Sequence, residues 1–128
     1  MSPDFLSVED VLFIHEEQIE RFGGSLGLRE LGLLESAVAQ AQATFEGSFV
    51  HSDLFEMAAA YLFHLTSNHP FIDGNKRIGL ASALVFLELN GVEVSRGTDL
   101  LYELTMSVAC GAADKRKIAQ TLRSLASK

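Results

Sequence analysis

The chain has 128 residues, 48% of them apolar, which is enough for one domain with a genuine core and too many for a disordered or linker-like polypeptide. Seventeen acidic against ten basic side chains leave a net charge of −7, which disfavours non-specific nucleic-acid binding because that needs a positive field. A lone cysteine, Cys110, excludes an intramolecular disulfide, and its apolar neighbours Val108 and Ala109 predict a core thiol rather than a nucleophile.

Apolar runs with few β-branched clusters and almost no strict alternation favour helix over sheet. Met1-Ser2-Pro3-Asp4 lacks a basic stretch followed by an apolar block, so no signal peptide is expected. The apolar stretches are shorter than a membrane span and carry His64, Asn68 or Glu88, so the expectation is a soluble, cytoplasmic protein. Ser7, with Asp10 three residues on, predicts a capping box, and Val11, Leu12, His15, Ile19 and Phe22 repeat at helical spacing behind it. Gly23-Gly24-Ser25-Leu26-Gly27 stops that helix. A second helix is expected over about 29–41, with Leu31, Leu34, Ala37, Val38 and Ala41 on one side. Residues 44–51 have no helical period, and Phe45, Phe49 and Val50 fit a short extended flap.

Ser52-Asp53 cap the next helix, over about 54–67, which is apolar nearly all round and so belongs in the interior. Asn68-His69-Pro70 breaks it, since proline disfavours helical backbone in the residue before it. Residues 75–90 form a second interior helix, ended by Asn90-Gly91. Thr98-Asp99 are expected to cap a helix to about 110, and a last helix covers about 114–126. With no repeat or low-complexity tract, the expectation is one all-α domain over 1–128. It has about six helices, two of them central and joined by a loop that carries most of the chemistry.

That loop and the helix start behind it read His69-Pro70-Phe71-Ile72-Asp73-Gly74-Asn75-Lys76-Arg77. As a plain turn, Pro70 and Gly74-Asn75 are ordinary loop residues and Asp73 caps the helix that follows. Two features weigh against the plain turn. Lys76 and Arg77 occupy the opening turn of a helix, where cations are unfavourable by about 0.3–1 kcal/mol each. Two cations there make sense if an anion normally rests at that end, cradled also by backbone N–H groups. His69 lies one loop away and is the best-placed general base, because imidazole titrates near pH ~6.5.

The remaining candidates read as structural. His64 lies five residues before His69, not at the i, i+4 spacing of a helical zinc site, and is expected to be a hydrogen-bonded core histidine. His15 and His51 have no second histidine at a metal-binding interval and read as incidental. Ser25 and Ser82 have no base nearby, which leaves a hydrolase triad without support. Lys115-Arg116-Lys117 reads as a solvated helix face. The nine phenylalanines are mainly core, with Phe45 and Phe49 as candidate clamps for a target segment.

The nine residues 69–77 resemble the signature of the Fic fold, and in detail its death-on-curing (Doc) toxin branch. Gly23-Gly24-Ser25-Leu26-Gly27-Leu28-Arg29, Gly32-Leu33-Leu34-Glu35-Ser36-Ala37 and the stretch from Ala83 to Gly91 resemble that branch as well. Typical Fic proteins transfer AMP, have Gly where this chain has Lys76, and have an arginine where this chain has Leu80. The resemblance therefore implies a Ser/Thr protein kinase: ATP bound in the reversed sense, its γ-phosphate passed to a protein hydroxyl. The acceptor it implies is a threonine of elongation factor Tu, with arrest of translation.

Carried over residue by residue, the resemblance implies that His69 deprotonates the acceptor and that Asp73 orients it or holds Mg²⁺. Gly74 and Asn75 would supply phosphate donors, and Lys76 and Arg77 would offset charge on the phosphoryl group. Phe71 is expected to anchor the loop, with core roles for Pro70 and Ile72. Some relatives carry an inhibitory helix with Ser or Thr four residues before Glu-Gly or Glu-Asn. Here the residue four before Glu46-Gly47 is Gln42, so the implied restraint is an antitoxin in trans. The alternatives are an AMP transferase of the same fold and a catalytically dead binding module.

Overall fold

A computed structural model describes residues 2–126; Met1, part of the N-terminal stretch considered above, lies outside them. Six helices follow one another: α1 (Val8–Phe22), α2 (Leu31–Gln40), α3 (Leu54–Asn68), α4 (Asn75–Leu89), α5 (Thr98–Ala109) and α6 (Lys115–Leu125). The capping box at the start of α1 forms as expected: Ser7 Oγ accepts from Asp10 N at 3.0 Å and Asp10 answers through Ser7 N at 2.8 Å. Asp53 and Asp114 cap α3 and α6 through the amides of Glu56 and Lys117. Helix α5 differs from expectation: its N-cap is Gly97, and neither Thr98 nor Asp99 caps it. Helix α2 begins two residues later than expected, because Arg29 and Glu30 are pulled into an extended pairing with the loop after α3.

Helix α3 is the centre of the molecule. Met57–Leu62, Leu65 and Thr66 are buried, and α3 packs most extensively on α4, then on α6, α2 and α5. Gly79 lets α3 and α4 approach closely; a Cβ there would run into Thr66 Oγ1 and come within 3.0 Å of the Leu62 carbonyl. The N-terminal segment is tied onto this pair. Tyr61 OH accepts from Leu6 N at 2.9 Å, and Asn90 exchanges two hydrogen bonds with the Asp4 backbone. Burial pushes the Tyr61 phenol up to about 12, which keeps the hydroxyl protonated and able also to donate to the Leu6 carbonyl at 3.4 Å.

The flap is a two-stranded hairpin, β1 (Thr44–Phe45) against β2 (Ser48–Phe49). Phe49 packs on Phe5 at its base with ring centroids 5.5 Å apart, whereas Phe45 at its tip is 71% exposed. Cys110 contradicts the core-thiol expectation: it ends α5, exposed, its apolar neighbours notwithstanding. No helix among the described residues is long and apolar enough to cross a membrane.

His64 is half-buried and bonded, as expected, but its partner is a surprise. Lys115 Nζ donates to His64 Nε2 at 3.1 Å, so Lys115 is half-buried while Arg116 and Lys117 stay on the solvated face. Burial, and then the charges of Lys115 and His51, push the His64 imidazole down to about 4. Between that value and the ordinary 6.5 the unfolded chain binds a proton that the folded chain refuses. This contribution to stability is therefore complete above 6.5 and declines as pH falls toward 4. The urea midpoint is expected to drop across that interval, and to drop less in His64→Gln; equal drops in the two proteins would refute the assignment.

Candidate active site

The two central helices must be joined within a few residues, and the joining loop is built from backbone more than from side chains. His69 is the C-cap of α3, in the left-handed region at φ 50°, ψ 54°, where a residue with a side chain is strained by about 1–3 kcal/mol. Pro70 follows, fully buried, and blocks the ordinary helical alternative. Phe71 anchors the loop as expected: it is buried and its ring lies flat on His15, with centroids 3.8 Å apart. Ile72 departs from expectation, 61% exposed and lying over Gly27, because the side chains along this extended piece alternate inward and outward. Residues 27–29 pair antiparallel with 70–72: Arg29 N donates to Pro70 O at 2.7 Å and Ile72 N to Gly27 O at 3.1 Å.

Asp73 is a clamp rather than a helix cap. Its Oδ2 accepts from Ser25 N at 3.0 Å and its Oδ1 from Gly74 N at 2.8 Å. These two amides, with smaller help from the charges of Arg77 and His15, hold its carboxyl below the usual range. Gly24 makes the approach possible, since a Cβ there would fall 2.7 Å from Asp73 Oδ2 and 2.9 Å from Arg77 Nη2. The N-cap of α4 is Gly74 in left-handed backbone, φ 79°, with no side-chain cap.

The donors at the start of α4 divide in an informative way. The Asn75 side chain is spent on the loop itself, accepting from Phe71 N and donating to Phe71 O, both at 3.0 Å. Gly74 N is taken by Asp73. The amides of Asn75, Lys76 and Arg77, by contrast, have no hydrogen-bond partner among the described residues. Arg77 has a structural task, Nη1 donating to Gly23 O at 2.8 Å and to Gln18 O at 3.4 Å, so it neutralises the carbonyl end of α1. Lys76 is exposed and bonded to nothing among the described residues. Of the two cations that looked misplaced in the sequence, one therefore has a local partner and the other has none.

Residues 73–77, with Leu80 of α4 and Tyr102 and Met106 of α5, line a cavity of about 470 Å³. His69 is exposed on the α3 side of the loop and is not part of that lining. A larger cavity, about 940 Å³ between α3, α5 and α6, contains no residue of the loop; the open amides and the cations of α4 belong to the smaller one.

Sequence reasoning missed two residues. His15, taken as incidental, is 3% exposed and donates from Nε2 to the Asp73 carbonyl at 2.8 Å while stacking on Phe71. Its signal was available, since it shares the four-residue spacing of buried Val11 and Ile19. Arg29 was read only as the first residue of the second helix, yet its guanidinium donates to the carbonyls of His69 at 2.6 Å and Asn68 at 3.0 Å. His51 is buried too, its imidazole pushed down by burial and the Lys115 charge.

Two buried helices are joined by a clamped loop, and an uncapped, cation-bearing helix start opens on a cavity, the kind of helix end that suits an anion. The chain belongs to the Fic/DOC family, whose model matches residues 5–87. It is 38% identical over 120 residues to the protein kinase doc of Escherichia phage P1, covering 94% of each chain. It is 39% identical over 125 residues to Toxin Doc of Mycolicibacterium smegmatis, covering 96% of this chain and 94% of that one.

Because the folded Asp73 carboxyl is held low, its clamp is fully present above the ordinary 3.8 and is lost only as pH falls through the lower folded value. The Ser25 and Gly74 amides are therefore expected to stay protected from solvent exchange through the mildly acidic range. Asp73→Ala is expected to speed their exchange about tenfold, the effect of losing one charge-assisted bond. Unchanged exchange in that variant would show that the clamp is not what holds the loop.

Proposed function

We propose that this protein is the toxin of a toxin–antitoxin pair and a protein kinase that passes the γ-phosphate of ATP to a Ser or Thr hydroxyl. The acceptor we propose is a threonine of a translation factor, elongation factor Tu. The observation that carries the reading is the open start of α4: three amides and a lysine, Lys76, with no partner among the described residues, at a cavity of about 470 Å³. Ligand pockets run from about 300 to 1,000 Å³, so a nucleotide is of the right size. The names of the two relatives, a protein kinase and a toxin, support the activity and the biological role. Lys76 and Leu80 both depart from the pattern of AMP-transferring members, which favours γ-phosphate transfer.

In this reading the phosphates of ATP lie along the α4 amides, with Lys76 and Arg77 offsetting their charge. His69, exposed beside the loop, takes the proton of the acceptor hydroxyl as its oxygen attacks the γ-phosphorus. The bond from that phosphorus to the bridging oxygen breaks, ADP departs with the electron pair, and the proton rests on His69 until solvent takes it. The contribution of the protein is mostly position and charge. The exposed Phe45 of the flap offers an apolar grip for the acceptor segment.

Asp73 is a suitable holder for Mg²⁺, since each carboxylate oxygen accepts a single N–H and keeps a lone pair. No group of three or more His, Cys, Asp or Glu among the described residues could hold a metal. One carboxylate with phosphate oxygens and water is the usual Mg²⁺ arrangement, and the bound ion would supply charge neutralisation at the phosphates. A kinase that stops translation endangers its host, so its partner is an antitoxin acting in trans.

Purified protein incubated with elongation factor Tu and ATP labelled at either the γ or the α position is expected to transfer label from γ alone. His69→Ala is expected to lower that rate by about 100- to 10,000-fold. Label arriving from the α position would establish AMP transfer instead, and nucleotide binding without transfer to any protein would establish a binding module.

A further inference from the structure

We propose that Arg29 is a positioning residue for His69, fixing the backbone from which the imidazole projects. The proposal rests on the reading of His69 as the base. The His69 imidazole makes no hydrogen bond to any described residue, and the left-handed backbone of His69 sets the direction in which its Cβ projects. Arg29 closes on that backbone. Its Nε donates to the His69 carbonyl at 2.6 Å, and its Nη2 to the Asn68 carbonyl at 3.0 Å. Its own amide and that of Glu30 donate to the Pro70 carbonyl at 2.7 and 3.1 Å. Three consecutive carbonyls, those of 68, 69 and 70, are thereby held from one place in the turn between α1 and α2.

The chemistry of the partner suits the task. The carbonyl end of α3 carries partial negative charge, which a cation relieves. A guanidinium adds a rigid planar fork that fixes direction, whereas an ammonium on a flexible stem does not. Other duties for Arg29 are missing: it is exposed, so it fills no core space, and it pairs with no acid among the described residues.

The test follows the His69 ring and the transfer rate separately. In protein with isotopically labelled histidine, Arg29→Ala is expected to shift and broaden the His69 ring resonances while those of buried His15 keep their positions. In the γ-phosphate transfer assay kcat is expected to fall by about 100-fold, the cost of a reacting group displaced by about 1 Å, with KM for ATP unchanged. Arg29→Lys is expected to recover only part of the rate, and Arg29→Gln replaces Arg29→Ala if the latter does not fold. Undisturbed His69 resonances, or a loss of thermal stability with kcat intact, would overturn the proposal. If the unsubstituted protein transfers no phosphate at all, the kinase reading fails, and the resonance measurement still decides whether Arg29 positions His69.

Discussion

The molecule depends on one constraint: two buried helices, α3 and α4, must be joined by a loop whose polar backbone cannot be left unpaired. Much of that pairing comes from the connection between α1 and α2. Gly27, Arg29 and Glu30 bond to Pro70 and Ile72, Ser25 bonds to Asp73, and Arg77 returns the tie by bonding to Gly23 and Gln18. The loop is therefore half of a two-segment structure, and an isolated α3–α4 hairpin would have no reason to adopt it. Backbone pairing at this density is what keeps a left-handed histidine in place at the end of a helix.

The same arrangement separates structural from chemical duties. Groups that hold the loop are engaged with it: Asn75 with Phe71, Asp73 with two amides, Arg77 with the end of α1, His15 with Asp73 and Phe71. Without a hydrogen-bond partner among the described residues are the first amides of α4, Lys76 and the ring of His69. An anion entering the cavity would find donors already oriented, so little of its binding energy would be spent on reorganisation.

Much of this was legible in the chain. The fold class and six helices followed from apolar spacing and capping residues, because both are local signals of a 3.6-residue period. The loop stood out because it combines a helix break, a helix start and charges in an unfavourable place. Less legible was whatever depended on which side of a short segment faces the core. Ile72 and Cys110 look apolar in their local context and are exposed, while Lys115 looks solvated and is half-buried against His64. In an extended piece or at a helix end, one residue of displacement turns a side chain from core to solvent, and no local rule sets that displacement.

Residue order alone thus determined an acidic, helical chain with a motif at the meeting of its two most apolar helices, because periodicity and breakers act over neighbouring residues. Only the tertiary structure decided which polar groups in that motif are spent and which are free, and that His15 and Arg29 serve it. Those contacts join residues about 40 to 60 positions apart, and such pairs come into register only once the helices have packed.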